Sequence, residues 1–241
     1  MELSTAAETS TAFQRIAAVA ARLRDDEGRL RRKSADPEAY EEIFRRTTEG
    51  VRETQKRLVR ERKHGQAQWA VLERHPQARR LMMIRNDRRL HNWGLFQILL
   101  ERSRSLAVYD ARAAVPMAEL ALAVARCLDP ETHGEERTAD FETVALAALA
   151  DAKRRLGERR GAWEAFEAAR ESLEEGTGDP LERAELEILK ARLLRDFGSE
   201  QETERSLRRA GKLLRSIGDK RVERDLLDEP AEATVRRQAM R

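Results

Sequence analysis

Apolar residues recur at intervals of seven in two successive segments near the start of the chain, the spacing of a narrow helix–helix seam. The second segment begins at Asp36-Pro37, a capping residue followed by a proline that suits the first turn of a helix. The pattern predicts an antiparallel helical hairpin over residues 1–65, with one helix over residues 9–32 and a break at Gly65. The recurring positions are Ile16, Leu23 and Leu30, then Phe44, Val51 and Leu58.

A different pattern, of small residues, a glycine and a large apolar residue, occurs twice between residues 141 and 217. Small residues let antiparallel helices approach closely, and glycine permits a tight turn. The pattern predicts consecutive helix pairs, which stack because one pair alone cannot bury its apolar face. Ala165 lies off the pattern, and we expect it to lie off the contact. The two copies are offset by 191 − 150 = 41 residues: Ala150, Gly157, Ala162, Phe166 and Ala169, then Ala191, Gly198, Thr203, Leu207 and Ala210.

An earlier, degenerate helix pair is predicted over residues 95–128. Its second helix carries Ala114, Ala118 and Ala121, the small-residue spacing of the later pairs. Its first helix has Arg102 where a small residue is expected, unless the register moves by one to Ser103. A short helix is also predicted over residues 221–227, and residues 231–241 are expected to form either a short helix or a frayed tail.

The residues Ala162-x-x-x-Phe166-x-x-Ala169, preceded by the turn at Gly157, resemble the tetratricopeptide repeat. The period differs from the family's length of about 34 residues, and the extra residues fall in the loop 174–180. The resemblance implies an all-α fold in which residues 66–241 form a short right-handed solenoid. It also implies a scaffold that binds protein. Residues 93–219 also resemble helical-repeat regions of bacterial regulatory proteins.

The composition agrees with a helical protein, since 38% of residues are charged and only 5% are aromatic. No apolar run is long enough to cross a bilayer, and the first fifteen residues do not resemble a signal peptide. The one cysteine, Cys127, rules out an internal disulfide and fits a reducing compartment. We therefore expect a cytoplasmic protein.

In tetratricopeptide arrays the first helix of each pair lines a concave groove that holds a partner segment. The resemblance places five charged residues on that groove, and arginine suits partner carboxylates. We expect a protein partner with an acidic segment, and arginines outside the packed core, so that replacing Arg154, Arg192 and Arg195 spares the fold. An ordinary solvated helix face is the alternative. The predicted partner-binding residues are Asp151, Arg154, Arg155, Arg192 and Arg195.

Residues 52–89 contain twelve basic and four acidic residues, a balance of 12 − 4 = +8. Such a segment can contact nucleic-acid phosphates, with Trp69 as its one aromatic residue for base stacking. A nucleic-acid-associated regulator is therefore the alternative function, and a solvated basic face is the simpler reading. The predicted basic surface comprises Arg57, Arg60, Arg79, Arg80, Arg85, Arg88 and Arg89.

Candidate chemistry is sparse. The four histidines are scattered without zinc-like spacing, and Cys127 lies among apolar residues. The Gly176-Thr177-Gly178 stretch lacks the lysine of a phosphate-binding loop. We therefore predict no metal, no cofactor and no catalytic residue. Trp163 is expected to pack between repeat units.

Overall fold

The computed structural model describes residues 37–217, and every regular element in that range is a helix. The predicted all-α fold class is confirmed. The helix predicted over residues 9–32 and those predicted after Asp219 lie outside the described residues, so the hairpin stays a prediction. Within residues 37–217, no helix combines the length and the apolar character needed to cross a membrane.

Helix α1 runs from Pro37 to Leu72. The predicted start at Pro37 is confirmed, but the predicted break at Gly65 is wrong. Gly65 is buried, and a Cβ added there would lie 2.5 Å from the backbone nitrogen of Leu95 and 2.7 Å from the oxygen of Gly94. Glycine is needed at this position because another stretch of backbone approaches the helix, and not because the chain turns.

The chain divides between Lys63 and His64 into two compact units, and the division falls inside α1. In the second unit, the last turns of α1 contribute two core residues, Trp69 and Leu72, which are 6% and 0% exposed. Whether residues 66–241 fold independently of residues 1–65 stays a prediction.

The described part of the second unit continues with helices whose starts follow local sequence signals. Side chains of Asn92, Asp110 and Asp179 accept backbone N–H groups at the first turns of three of them, which satisfies amides that have no partner inside the helix. The elements are α2 (Gln77–Asn86), a 3-10 turn (Arg88–Leu90), α3 (Trp93–Tyr109), α4 (Ala111–Ala125), α5 (Pro130–His133), α6 (Glu135–Leu156), α7 (Arg159–Glu175), α8 (Pro180–Asp196) and α9 (Glu200–Ile217).

Three helix pairs within this range form the main contacts: α3 with α4, α6 with α7, and α8 with α9. Each pair also contacts the next, through α4 and α6 and through α7 and α8. The first helices of the pairs meet as well, since α6 contacts both α3 and α8. Successive pairs therefore bury their apolar faces against one another.

Alanines line the contact in the α6–α7 pair. Ala150, Ala162 and Ala169 are all 0% exposed, which confirms their predicted burial at a close helix contact. Gly157 ends α6 with φ of 86°, in the left-handed region, and confirms its predicted role in the turn. Ala165, however, is 7% exposed and belongs to the same core cluster, so its predicted place off the contact is wrong.

The α8–α9 pair repeats this arrangement with one substitution. Ala191 and Ala210 are 0% exposed, and Gly198 turns the chain with φ of 78°. Thr203 takes an alanine position and is half-buried, and its hydroxyl donates to the Ser199 carbonyl at 2.8 Å. Because this hydrogen bond satisfies the hydroxyl, threonine is tolerated at a helix contact.

In the α3–α4 pair, Ser103 is the small residue of the first helix. It is 1% exposed and its hydroxyl donates to the Ala114 carbonyl at 3.0 Å. Arg102, one residue earlier, is exposed. The predicted earlier pair is therefore present, with the register moved by one residue.

The loop between α7 and α8 is attached to the start of α6 by a buried carboxylate. Asp140 is 6% exposed and accepts from the Thr177 amide at 2.9 Å and from the Thr177 hydroxyl at 2.8 Å. A Cβ at Gly176 would collide with the Asp140 carboxylate. The Gly-Thr-Gly stretch therefore binds a side chain of its own chain.

Candidate functional site

The predicted partner-binding residues on α6 and α8 form an ion-pair cluster. Arg154 lies between two carboxylates: its Nη2 is 2.9 Å from Asp151 Oδ1 and its Nη1 is 3.0 Å from Asp196 Oδ2. Arg155 Nε donates to Asp151 Oδ2 at 2.8 Å. Because Asp196 belongs to α8, Arg154 connects the first helices of two successive pairs.

The centre of the cluster, Arg154 with Asp151, is largely buried, and its charges stabilise one another. The Arg154 side chain is 12% exposed and that of Asp151 is 21% exposed. Burial raises the pKa of Asp151, but the charges of Arg154, Arg155 and Arg192 outweigh burial and hold that pKa below its usual value. Burial likewise lowers the pKa of Arg154, and Asp151 and Asp196 outweigh it and raise that pKa. These groups are therefore charged at neutral pH.

The remaining predicted residues lie on α8. Arg192 is half-buried and close enough to Asp151 for its charge to act on that carboxylate. Arg195, in the last turn of α8, is exposed. The expectation that these arginines lie outside the packed interior is wrong for Arg154, because neighbouring carboxylates enclose its guanidinium. That the cluster binds a partner stays a prediction.

A second ion pair connects first helices across the second unit. Arg104 Nη2 on α3 lies 3.6 Å from Glu185 Oε2 on α8. We call the surface formed by α3, α6 and α8 the first-helix face, marked by Arg104, Arg155, Glu185 and Arg195. Charged side chains cross between helices on this face.

An aromatic cluster lies where α7 begins and α8 ends. Phe197 is 45% exposed. Its ring centroid lies 5.6 Å from the guanidinium carbon of Arg159 and 6.0 Å from the ring centroid of Trp163, which stands edge-on. Trp163 also contacts Phe166 at 5.3 Å. Since Trp163 and Phe197 belong to different pairs, the predicted packing of Trp163 between units is confirmed.

The basic surface predicted on α2 and the 3-10 turn is partly open to solvent. Arg79, Arg85 and Arg88 are exposed, and no carboxylate of a described side chain lies within ion-pair distance of them. Arg89 is also exposed but pairs with Asp87 at 2.8 Å. Three arginines therefore present uncompensated charge here.

Arg80 serves a different purpose from its neighbours. Its Nε donates to the Leu72 carbonyl at 3.0 Å and its Nη2 to the Glu73 carbonyl at 2.7 Å. These bonds satisfy carbonyls at the end of α1, which have no partner inside that helix. Arg80 is therefore a capping residue of α1.

Two members of the predicted basic surface belong to the first unit. Arg57 lies on α1, with its Nε 3.8 Å from Glu61 Oε1. Arg60, on the same helix, is exposed. These two residues and the five arginines of α2 and the 3-10 turn are thus parts of different compact units.

Trp69 is enclosed between two guanidinium groups. It is 6% exposed, with the guanidinium carbons of Arg80 and Arg102 at 5.3 and 4.9 Å from its ring. This double cation–π contact and the burial leave the indole face covered. The suggestion that Trp69 could stack on a nucleic-acid base is therefore wrong.

Within residues 37–217, no group of three or more His, Cys, Asp or Glu residues is arranged to hold a metal ion. Burial raises the pKa of the Cys127 thiol, which disfavours the nucleophilic thiolate at neutral pH. His91 Nε2 lies 2.6 Å from the Ile84 carbonyl oxygen, so this ring connects α2 with the segment that follows it.

One open cavity of about 350 Å³ lies beside α5, between the end of α4 and the start of α6. Arg126, on its wall, pairs with Glu142 at 2.7 Å. The cavity contains none of the predicted site residues. Its acidic lining residues are Glu135, Glu136, Glu142 and Glu175.

Sequence reasoning missed the Phe197–Arg159 contact and the attachment of Thr177 to Asp140. A signal for the first exists, because an aromatic residue directly before the turn glycine Gly198 has no place in the small-residue pattern. Asp140 carries no comparable signal, since it is one acid among many near a helix start.

Comparison with known proteins identified no relative: no protein-family model, no curated protein and no solved structure matches this chain. The resemblance to the tetratricopeptide repeat therefore rests on the residues of the helix pairs themselves.

Proposed function

We propose that this chain is a non-enzymatic adaptor or regulatory subunit that binds a protein partner in the cytoplasm. In this proposal the helix pairs form a short, right-handed, tetratricopeptide-like solenoid, and the first-helix face is its binding surface. Support comes from the buried alanines at the helix contacts and from the left-handed turn glycines Gly157 and Gly198. The lone cysteine is in keeping with a reducing compartment.

The charge of the α6–α8 cluster carries the proposal. Asp151 pairs with both Arg154 and Arg155, and Asp196 pairs with Arg154, so arginines outnumber carboxylates in the cluster. Arginine binds carboxylates through two parallel N–H donors, which favours an acidic segment over a neutral one. The cluster combines four guanidinium groups with two carboxylates, a balance of 4 − 2 = +2: Arg154, Arg155, Arg192, Arg195, Asp151 and Asp196.

A charge-reversal experiment tests this surface. The double variant Arg155→Glu/Arg195→Glu reverses exposed charges on the first-helix face and leaves Arg154 in place. The control, Arg170→Glu/Arg208→Glu, makes the same change on the exposed sides of α7 and α9. With these proteins as baits in pull-downs from the native host, we expect wild type and control to capture the same partner and the double variant to lose it.

Titration calorimetry with the captured partner then measures the loss. We expect the double variant to bind at least about tenfold more weakly, equivalent to about 1.4 kcal/mol at 25 °C. Circular-dichroism melts should show both variants folded. A folded double variant with wild-type affinity would contradict the proposal and place the binding surface elsewhere.

The exposed arginines of α2 and the 3-10 turn favour a second candidate, a nucleic-acid-associated regulator. No described carboxylate forms an ion pair with Arg79, Arg85 or Arg88, so their charges are open to phosphate contacts. Because Trp69 is covered, the contact would be to phosphates alone. Binding to random-sequence duplex DNA should then weaken steeply with added salt. Weak binding that does not change with salt would argue against this candidate.

A further inference from the structure

Phe197 presents a large apolar surface where the chain turns from α8 into α9. It is 45% exposed, although two side chains of the preceding helix pair contact its ring. Arg159 approaches the ring as a cation, and Trp163 approaches in an edge arrangement, the geometries that aromatic rings favour. The ring is thus oriented by its neighbours while part of it remains in contact with water.

Arg159 carries hydrogen-bond donors that no described residue accepts. The residue is exposed, and its guanidinium makes no hydrogen bond or ion pair with any described side chain or backbone group. Its contact in that range is with the Phe197 ring. A guanidinium stacked on a ring still directs its N–H groups outward in the plane, where they can donate two bonds to one carboxylate. Stacking also restricts the side chain before binding.

The surroundings of Arg159 favour an acidic ligand. Residues 153–160 contain five basic residues and one acid, a balance of 5 − 1 = +4. Arg154 is paired with Asp151 and Asp196, whereas no described carboxylate forms an ion pair with Arg159. Positive charge of this kind attracts acidic segments and repels basic ones.

We propose that Phe197, Trp163 and Arg159 form an anchoring site for an acidic protein segment in which a large apolar side chain neighbours Asp or Glu. The apolar side chain contacts the two rings, and the carboxylate accepts hydrogen bonds from Arg159. Tryptophan and arginine are the residue types that dominate binding energy at protein interfaces. This inference rests on the proposed function, because it specifies the segment that the partner contributes.

The experiment begins with a phage-displayed library of random peptides selected on the full chain. We expect selected peptides to share a Phe, Trp, Leu or Met next to an acidic residue. A fluorescein-labelled peptide of the selected sequence is then titrated by anisotropy. Phe197→Ala and Arg159→Gln should each weaken its binding at least about tenfold. Tyr109→Ala is the matched control, because Tyr109 is a 79% exposed aromatic residue at the end of another first helix, α3.

Tryptophan fluorescence supplies an independent readout. Trp69 and Trp93 are 6% and 3% exposed, whereas Trp163 is only partly buried. Acrylamide should therefore quench chiefly Trp163, and the bound peptide should protect it. Trp163→Phe should remove most of the quenchable emission. An unlabelled peptide that binds without changing the quenching would contradict contact with this cluster.

The outcomes separate this inference from the proposed function. Peptides weakened by Arg155→Glu/Arg195→Glu but not by Phe197→Ala or Arg159→Gln would overturn the anchoring site and leave the first-helix face standing. Peptides weakened by Phe197→Ala and Arg159→Gln but not by the double variant would support the anchoring site. The binding surface would then lie at the turns around Arg159 and Phe197 and not on the first-helix face. Failure of the library to select any peptide with an acidic and a large apolar residue side by side would overturn the inference.

Discussion

The α6–α9 helices and the segment from α2 to the 3-10 turn are both rich in arginine, yet they use it differently. In the first region, Arg154 is 12% exposed and lies between Asp151 and Asp196. In the second, Arg79 and Arg85 are exposed and form no ion pair with a described carboxylate. Charge density along a sequence therefore does not reveal which charges remain available to a partner.

The burial of alanine also differs between the two regions. Ala162 on α7 is 0% exposed and packs in a core cluster, whereas Ala78 on α2 is exposed. The same residue type limits the approach of two helices in one region and only favours helix formation in the other. Matched substitutions in the two regions can therefore test the comparison directly.

The largest effect is expected from Arg154→Ala. Removing this guanidinium leaves two partly buried carboxylates without their shared partner, which should lower the free energy of unfolding by about 3 kcal/mol. Arg85→Ala, the matched change in the other region, should stay within about 0.5 kcal/mol of wild type. Urea unfolding followed by circular dichroism measures both. Equal midpoints for the two variants would break the comparison.

Overpacking should have the next largest effect. Ala162→Leu forces α6 and α7 apart and should destabilise the protein by about 1–3 kcal/mol. Ala78→Leu adds the same atoms at an exposed helix position and should change stability by less than about 0.5 kcal/mol. The midpoints of urea unfolding measure both changes in stability. An Ala162→Leu protein as stable as wild type would show that the predicted repeat positions are not sterically constrained.

A smaller effect is expected when the pH is lowered, because the stabilising charge of Asp151 is then lost. Its pKa is lowered in the folded state, so its ionised form stabilises the fold above the unfolded pKa of about 3.9. That stability is lost as the pH falls through the folded pKa.

The difference in unfolding free energy between wild type and Asp151→Asn should therefore be greatest near neutral pH and shrink below about pH 4. Urea unfolding at a series of pH values measures it, with Glu171→Gln, an exposed acid of α7, as the control. A difference that stays constant down to strongly acidic pH would show that the charge of Asp151 does not stabilise the fold.

The smallest effect is expected from the exposed arginines. Alanine at Arg79, Arg85 and Arg88 together should leave the free energy of unfolding within about 0.5 kcal/mol of wild type, since surface residues contribute little to stability. Thermal melts and helical circular dichroism measure this. Destabilisation comparable to that of Arg154→Ala would mean that these side chains, too, support the fold.

Features set by neighbouring residues were predictable from the sequence. Pro37 begins a helix because its ring suits the first turn. Gly157 turns the chain because glycine tolerates positive φ. The prediction of a helix break at Gly65 is wrong because glycine also permits close backbone approach. The backbone that approaches Gly65 belongs to Gly94, which is remote in sequence. The prediction that Ala165 lies off the helix contact is wrong because α7 packs against both α6 and α8 and therefore buries more than one line of residues.

In the candidate site, too, contacts within one helix are predictable from the sequence, whereas contacts between helix pairs are not. Asp151 with Arg154 and Arg155 follows from the helical spacing of three and four residues, which brings side chains together on one helix. The contact of Arg154 with Asp196, and that of Arg159 with Phe197, depend on how one helix pair packs on the next. Neither can be derived from the spacing of residues within a helix.

The hydrogen bonds between Asp140 and Thr177 restrict insertions and deletions in the loop before α8. The loop before α8 has no regular structure, yet its Thr177 amide is donated to a buried carboxylate. In hydrogen exchange this amide should be protected nearly as long as helical amides. Surface loops usually accept inserted residues, but here an insertion next to Gly176 would displace the segment from Asp140. The segment that connects α7 to α8 is thus expected to tolerate a change of length less well than its irregular conformation suggests.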